Sequence, residues 1–281
     1  MGNITVYAQY ISRRPSLFVR TIDVRHPRAQ MLFLHASAVH SDFYLPMAIQ
    51  LAELGIRVWL PDLRGHGRSE GRRGHVRHFD TYRDDLVRLW DSFTSSAAED
   101  LPSVLGGESL GGLVALLAAQ GLVNPDGLFL VSPALSLHFQ LSPTAMGILW
   151  RLRSVLGWVR PLMPLSMAGS TQSHEVLDLI TRDPLVNRYY SLGFLLSLLY
   201  AQHLLVHPEK LQCASLALFS HDDPIVDTRR SAECMAKAVQ HRTEFVDHTL
   251  HSLVADAPDR VVARFLQWSK DHLINMTSAN F

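Results

Sequence analysis

Two cysteines in 281 residues, Cys213 and Cys234, are too few for a disulfide framework, and no Cys/His spacing along the chain matches a zinc site. A reducing compartment follows from that scarcity. An excess of charge is also missing: 26 Lys and Arg face 26 Asp and Glu, which leaves no basic field to gather phosphates and excludes nucleic acid as the main partner. The first sixteen residues, MGNITVYAQYISRRPS, lack a basic segment followed by an apolar stretch, so no secretory signal is expected. Val6 stands where N-myristoylation needs Ser or Thr. The most apolar segment, Ser191 to Val206, is interrupted by Ser197, Gln202 and His203 and falls short of the roughly 18 to 20 residues a bilayer span requires. It remains a candidate for peripheral contact with a membrane or a lipid. A soluble, cytoplasmic protein is expected.

What is present is length and apolar content, enough for one large α/β domain over residues 1–281. Short apolar runs bounded by Gly, Pro or Asp alternate with longer helical patterns, the signature of βα units and a mostly parallel sheet with flanking helices. Strands are predicted at Leu17 to Val24, Met31 to His35, Arg57 to Pro61, Val104 to Gly107, Leu128 to Val131, Ser215 to Ser220 and Glu244 to Val246. Helices are predicted near Tyr44 to Leu54, Thr81 to Thr94, Leu110 to Gln120, Thr228 to Val239 and Pro258 to Leu273, where apolar residues recur at three and four. The rhythm breaks over residues 133–206, which hold only helical pattern, with Trp150, Trp158, Leu162, Met163, Phe194 and Tyr200 among many leucines. A connection that long implies a helical cap inserted over one end of the sheet.

Ser103 to Leu117 reads as a strand, then Gly107-Glu108-Ser109-Leu110-Gly111, then a helix. Such a turn pushes the serine into a strained backbone conformation, and glycines two residues either side remove Cβ atoms that would collide. A serine hydroxyl is a poor nucleophile until a base takes its proton, so a histidine steadied by a carboxylate is required. In this arrangement the acid and the base follow the serine in that order. The acid candidates are Asp222, Asp223 and Asp227, just after one strand, and the base candidates are His248 and His251, just after the next. Spacing does not separate them.

Four segments, HASAVHSDFY (His35 to Tyr44), PDLRGHGRSEG (Pro61 to Gly71), GGESLGG (Gly106 to Gly112) and SHDDPIVD (Ser220 to Asp227), with a looser DHTLHSL (Asp247 to Leu253), resemble the monoacylglycerol lipase group of the α/β-hydrolase superfamily. That group also includes lysophospholipases and plant caffeoyl shikimate esterases, within the serine aminopeptidase S33-type hydrolases. The resemblance implies Ser109, Asp223 and His251 as the catalytic set, with Ser220 and His248 standing where the family has glycine. It implies an oxyanion hole of the Leu110 and Ser37 amides, in a loop that usually begins His-Gly and here reads His35-Ala36. With that exchange, either the backbone avoids the positive φ that glycine tolerates or Ala36 is slightly strained.

Mammalian-type members surround the glycerol head with a Glu, an Arg and a further His, at positions matching Val39, Phe43 and Val254. Burying free hydroxyls against apolar side chains costs about 1 to 3 kcal/mol each, so Val39 and Phe43 are expected to line a site for a less polar ester, unless the head group is held by the cap instead. Glu108, as in the plant esterases, is expected to orient a loop through Arg or His partners, and His66 and Arg68 to brace the serine turn. The resemblance thus implies a serine hydrolase of carboxylic esters of apolar or acyl-chain substrates, with no metal or cofactor. The same residues also suit a thioesterase, a peptidase, a biosynthetic tailoring hydrolase or a silent small-molecule-binding protein.

Overall fold

The computed structural model describes residues 4–11, 14–97, 101–139, 142–156 and 169–273. Eight strands form one sheet: β1 (Ile4–Ile11), β2 (Leu17–Val24), β3 (Ala29–Leu34), β4 (Ile56–Pro61), β5 (Ser103–Glu108), β6 (Gly127–Val131), β7 (Ala214–Phe219) and β8 (His241–Phe245). Their spatial order is β1-β2-β4-β3-β5-β6-β7-β8. β2 runs antiparallel to both β1 and β4, and every pairing from β4 to β8 is parallel. The carboxyl ends of β3, β5, β7 and β8 therefore share one edge, where open α/β sheets place their ligands.

The parallel strands are legible as apolar runs because both faces are buried. Met31 and Phe33 of β3 enter the apolar cluster that holds helices α1 (Leu45–Glu53) and α9 (Pro258–His272), whereas Leu32 and Leu34 enter the cluster of α2 (Asp80–Ser95) and α3 (Leu110–Ala119). Side chains alternate across a strand, so each core half receives every second residue. All ten residues of α3 are buried, which is why that helix is apolar all round. The two remaining helices of the main body are α7 (Thr228–Met235) and the short α8 (Leu253–Asp256).

One strand escaped the sequence reading. β1 has four consecutive exposed residues and lies at the sheet edge, so its ITVYAQYI carries no buried-face contrast to detect.

Among the described residues between β6 and β7 lie the α-helices α4 (Pro143–Leu156), α5 (His174–Arg182) and α6 (Leu192–Leu204). Residues 140–141 and 157–168 of the expected cap, with Trp158, Leu162 and Met163, lie outside the described residues. Trp150 of α4 stacks on Tyr200 of α6, with ring centroids 4.0 Å apart. The segment singled out for lipid contact turns Phe194, Leu196, Leu198 and Ala201 inward, where they are buried. Among the described residues, no helix is long and apolar enough to cross a membrane.

Candidate active site

Ser109 sits between β5 and α3 with φ 53° and ψ −113°. Two glycines make that turn possible. A Cβ on Gly107 would lie 2.5 Å from the Gly111 carbonyl carbon, and one on Gly111 would lie 2.3 Å from the Leu34 carbonyl oxygen. The amide of Ser109 donates to the Val131 carbonyl at 3.0 Å, and its carbonyl accepts from Ala134 at 3.0 Å, so the end of β6 braces the turn.

The Ser109 hydroxyl lies 2.8 Å from Nε2 of His251, and Nδ1 of the same ring lies 2.7 Å from Oδ2 of Asp223. An ionised carboxylate only accepts, so Nδ1 carries the ring proton and Nε2 accepts from the hydroxyl. The other oxygen of Asp223 accepts from the amides of Ile225 and Val226 at 2.8 and 2.9 Å. All three side chains are buried, which strengthens each of these contacts.

The other candidates that spacing left open lie outside this hydrogen-bonded line. Asp222 is exposed, and Asp227 caps α7 by accepting from the Arg230 amide. His248 is exposed and takes φ 52°, a left-handed conformation that glycine adopts without strain. Ser220, also at a family glycine, donates its hydroxyl to the Thr249 carbonyl at 2.6 Å and accepts from the Asp222 amide at 3.0 Å. It thus ties the loop of Asp223 to the loop of His251.

The loop after β3 carries Ser37. Ser37 N–H and Leu110 N–H donate to no other described residue, and Leu110 opens α3, where the helix dipole favours negative charge. At Ala36 the first alternative holds, and the positive φ falls on Ala38, at 70°, while the expectations for Glu108 and for His66 and Arg68 need correction. The turn that presents Ser37 is therefore made one residue after it, while Ala36 is pinned in place by its own amide, which donates to the Tyr44 hydroxyl at 2.9 Å.

Among the described residues, no Arg or His side chain hydrogen-bonds to Glu108. It accepts from the Tyr44 hydroxyl at 2.6 Å and from the Val254 amide at 3.2 Å, two groups that converge behind the turn. Burial raises the pKa of Glu108, and burial beside that carboxylate pushes Tyr44 well above the usual phenol range.

Among the described residues, neither His66 nor Arg68 makes a hydrogen bond or ion pair to the serine turn. Nδ1–H of His66 donates to the Arg64 carbonyl at 3.1 Å, and its Nε2 lies 3.0 Å from the Tyr190 hydroxyl, while Arg68 pairs with Asp42 at 3.0 Å. Their loop packs beside the Ser37 loop instead. His35 joins the two: its Nε2 accepts from the Leu63 amide at 2.9 Å and its Nδ1–H donates to the Ala36 carbonyl at 2.7 Å. Burial lowers the pKa of His35 to about 4 and that of His66 well below its ordinary value, so both rings stay neutral.

Val39 and Val254 are buried, and Phe43 packs half-buried against the same apolar cluster, which also takes in Ile180 of α5 and Val186. Several residues of this neighbourhood carry no sequence signal: His138, whose Nε2 lies 3.0 Å from the Asp223 carbonyl, and Tyr44, Tyr190 and Asp256. Each acts across a long stretch of chain, which no local pattern encodes. Among the described residues, no group of three or more His, Cys, Asp or Glu side chains is placed to hold a metal ion.

Residues 25–258 match the sequence profile of the serine aminopeptidase S33 family. The chain belongs to that family. Among its relatives, this S33 chain is 31% identical over 170 residues to a monoacylglycerol lipase of Mycolicibacterium smegmatis, covering 57% of each chain. It is 32% identical over 166 residues to human monoglyceride lipase, covering 58% of this chain and 54% of the relative. The S33 chain thus spans just over half the length of these curated relatives. A soluble variant of Saccharomyces cerevisiae monoglyceride lipase, solved with a substrate analogue, superposes with a TM-score of 0.82 at 18% identity, covering 97% of both chains. The architecture is the α/β-hydrolase fold.

Proposed function

We propose that the chain is a serine hydrolase of carboxylic esters, acting on apolar or acyl-chain substrates through an acyl-enzyme. The observation that carries this reading is the unbroken line from Ser109 through His251 to Asp223, with contacts of 2.8 and 2.7 Å. In it, His251 takes the proton as Ser109 attacks the carbonyl, and Asp223 holds the ring in the required tautomer and steadies the imidazolium. The amides of Leu110 and Ser37 receive the charge that develops on the carbonyl oxygen. His251 then protonates the leaving alcohol, activates water against the acyl-enzyme, and the acid departs.

The helical insert serves as a cap over this edge of the sheet. Its stretch 183–191 is fastened to loops on the sheet edge: Asn187 N–H donates to the Ala38 carbonyl at 2.8 Å, Asn187 Nδ2 to the Gly65 carbonyl at 2.8 Å, and Ser191 N–H to the Gly74 carbonyl at 2.9 Å. Phe139, Ile148, Leu179 and Tyr189 of the insert are exposed, which supports contact with a lipid surface that delivers the substrate. Val39, Phe43 and Val254 supply no partner for free hydroxyls, which favours esters without a polyol head.

The test is hydrolysis of p-nitrophenyl esters from acetate to palmitate beside 1-monooleoylglycerol and a lysophospholipid, by wild type and Ser109→Ala. Wild type turns over medium or long esters and binds a fluorophosphonate at Ser109, the variant does neither, and monooleoylglycerol is a poorer substrate than a simple ester of equal chain length. A wild type that cleaves nothing and takes no probe makes the chain a silent binding protein.

A further inference from the structure

Ala38 is held on both sides of its backbone by the insert. Its N–H donates to the Tyr190 hydroxyl, and its carbonyl accepts from Asn187 N–H at 2.8 Å. The Tyr190 hydroxyl also lies 3.0 Å from Nε2 of His66, whose other nitrogen donates to the Arg64 carbonyl, so the hydroxyl gives its proton to the ring and accepts from Ala38. Tyr190 is only 2% exposed, which keeps water from replacing it. The stretch bearing it is fastened further by Arg73, which donates to the Leu185 carbonyl, and by Gly74, where a Cβ would lie 2.1 Å from the Tyr189 carbonyl oxygen.

These contacts matter because Ala38 is strained. A non-glycine residue at φ 70° resists that conformation, and persists there only where its surroundings over-determine it. The peptide that carries the Ser37 N–H is held at its Ala36 carbonyl by His35 Nδ1–H and behind it by Tyr44, and Val39 N–H closes a turn onto the Ser37 carbonyl, so the anchor that reaches the next peptide from outside the loop is the Tyr190 hydroxyl on Ala38 N–H.

Resting on the ester-hydrolase reading, we propose that Tyr190 is a positioning residue of the oxyanion hole: by holding Ala38 in its left-handed conformation from the cap, it aims the Ser37 N–H at the developing oxyanion. The cap is then part of the catalytic apparatus, and its seating switches the hole on. Tyr190 touches no reacting atom, so its removal acts on the transition state through Ser37 and leaves ground-state binding of the ester nearly untouched.

The experiment measures kcat and KM for p-nitrophenyl butyrate in wild type, Tyr190→Phe, and Tyr190→Phe combined with Ala38→Gly, alongside fluorophosphonate labelling of Ser109. Tyr190→Phe lowers kcat about tenfold to hundredfold, below the cost of deleting an oxyanion donor outright, with KM within about twofold. Glycine adopts the left-handed conformation without strain, so Ala38→Gly restores most of the lost kcat in that background. If Tyr190→Phe does not fold, Asn187→Ala loosens the same stretch by removing the amide contact to Gly65 and supplies the same readout. Unchanged kcat, a parallel loss in kcat and KM, or no rescue by Ala38→Gly overturns the inference while labelling of wild type leaves the ester-hydrolase reading standing. A wild type that neither labels nor turns over ester fails that reading, and this inference with it.

Discussion

Tyr44→Phe removes one oxygen atom and leaves two buried groups short of a partner. The Ala36 amide loses the hydroxyl it donates to at 2.9 Å, and Glu108 loses the donor it accepts from at 2.6 Å. Each buried group left unpaired costs about 1 to 3 kcal/mol, with the carboxylate toward the upper end, so the sum is about 3 to 5 kcal/mol. At about 2 °C per kcal/mol for a chain of this size, the melting temperature falls by about 6 to 10 °C. The same change frees Ala36, the residue before Ser37, so kcat for p-nitrophenyl butyrate drops about tenfold while KM moves little. Glu108→Gln retains a carbonyl oxygen for Tyr44 but sets an amide NH2 or a second demand on that oxygen against Val254 N–H, and loses less on both counts. Thermal melting and steady-state hydrolysis on the same preparations decide the matter. A Tyr44→Phe protein that melts within a degree of wild type refutes the unsatisfied-pair argument, and one that melts low but keeps its kcat refutes the link from Tyr44 to the oxyanion loop.

Three further outcomes follow from the same geometry. His35 titrates at about 6.5 when unfolded and about 4 when folded, so between those values the unfolded chain binds more protons and stability rises with pH, by about 3 kcal/mol from this ring alone. His66 acts in the same sense and Glu108, raised by burial, in the opposite one, so one carboxyl offsets part of two imidazoles; urea-unfolding free energies that stay flat from pH 6.5 to 4 would contradict this. Gly111→Ala, whose Cβ meets the Leu34 carbonyl oxygen at 2.3 Å, yields no active soluble protein, whereas Gly147→Ala in α4 meets open space and stabilises by about 0.5 to 1 kcal/mol, both read from soluble yield and melting. Asp256 accepts from the amides of Leu250 and Gln172 and from the Thr171 hydroxyl, joining the insert to the loop of His251; Asp256→Ala lowers kcat about tenfold and opens the insert to limited proteolysis, and an unaltered cleavage pattern would count against that joint.

What could be read along the chain depended on whether a contact is local. The strands β2 to β7 and helices α1, α2, α3 and α9 stand where apolar runs and three-four spacing placed them, because burial on one or two faces writes a period into the residues themselves, while β8 begins three residues earlier than expected, at His241, and α7 ends earlier, at Met235. β1 has no buried face and left no period. In the site, local order was enough to narrow the acid and the base to a few side chains, but what separates Asp223 from Asp222 is burial, and what separates His251 from His248 is a left-handed backbone angle at His248 that glycine adopts without strain. The support of the oxyanion loop was illegible for a stricter reason. Glu108 reaches Tyr44 across 64 residues and Ala38 reaches Tyr190 across 152, so neither pairing falls within any helical or strand repeat. The exchange of glycine for Ala36 pointed to the right loop but not to Ala38, since the strain a loop stores is set by which of its amides are tied down. Here Ala36 is tied by Tyr44 and His35 and Ala38 by the insert, so Ser37 sits between anchors that lie outside the line of Ser109, His251 and Asp223. On the proposed ester-hydrolase reading, substitutions at Tyr44 and Tyr190 are where a sequence that keeps those three residues intact loses rate.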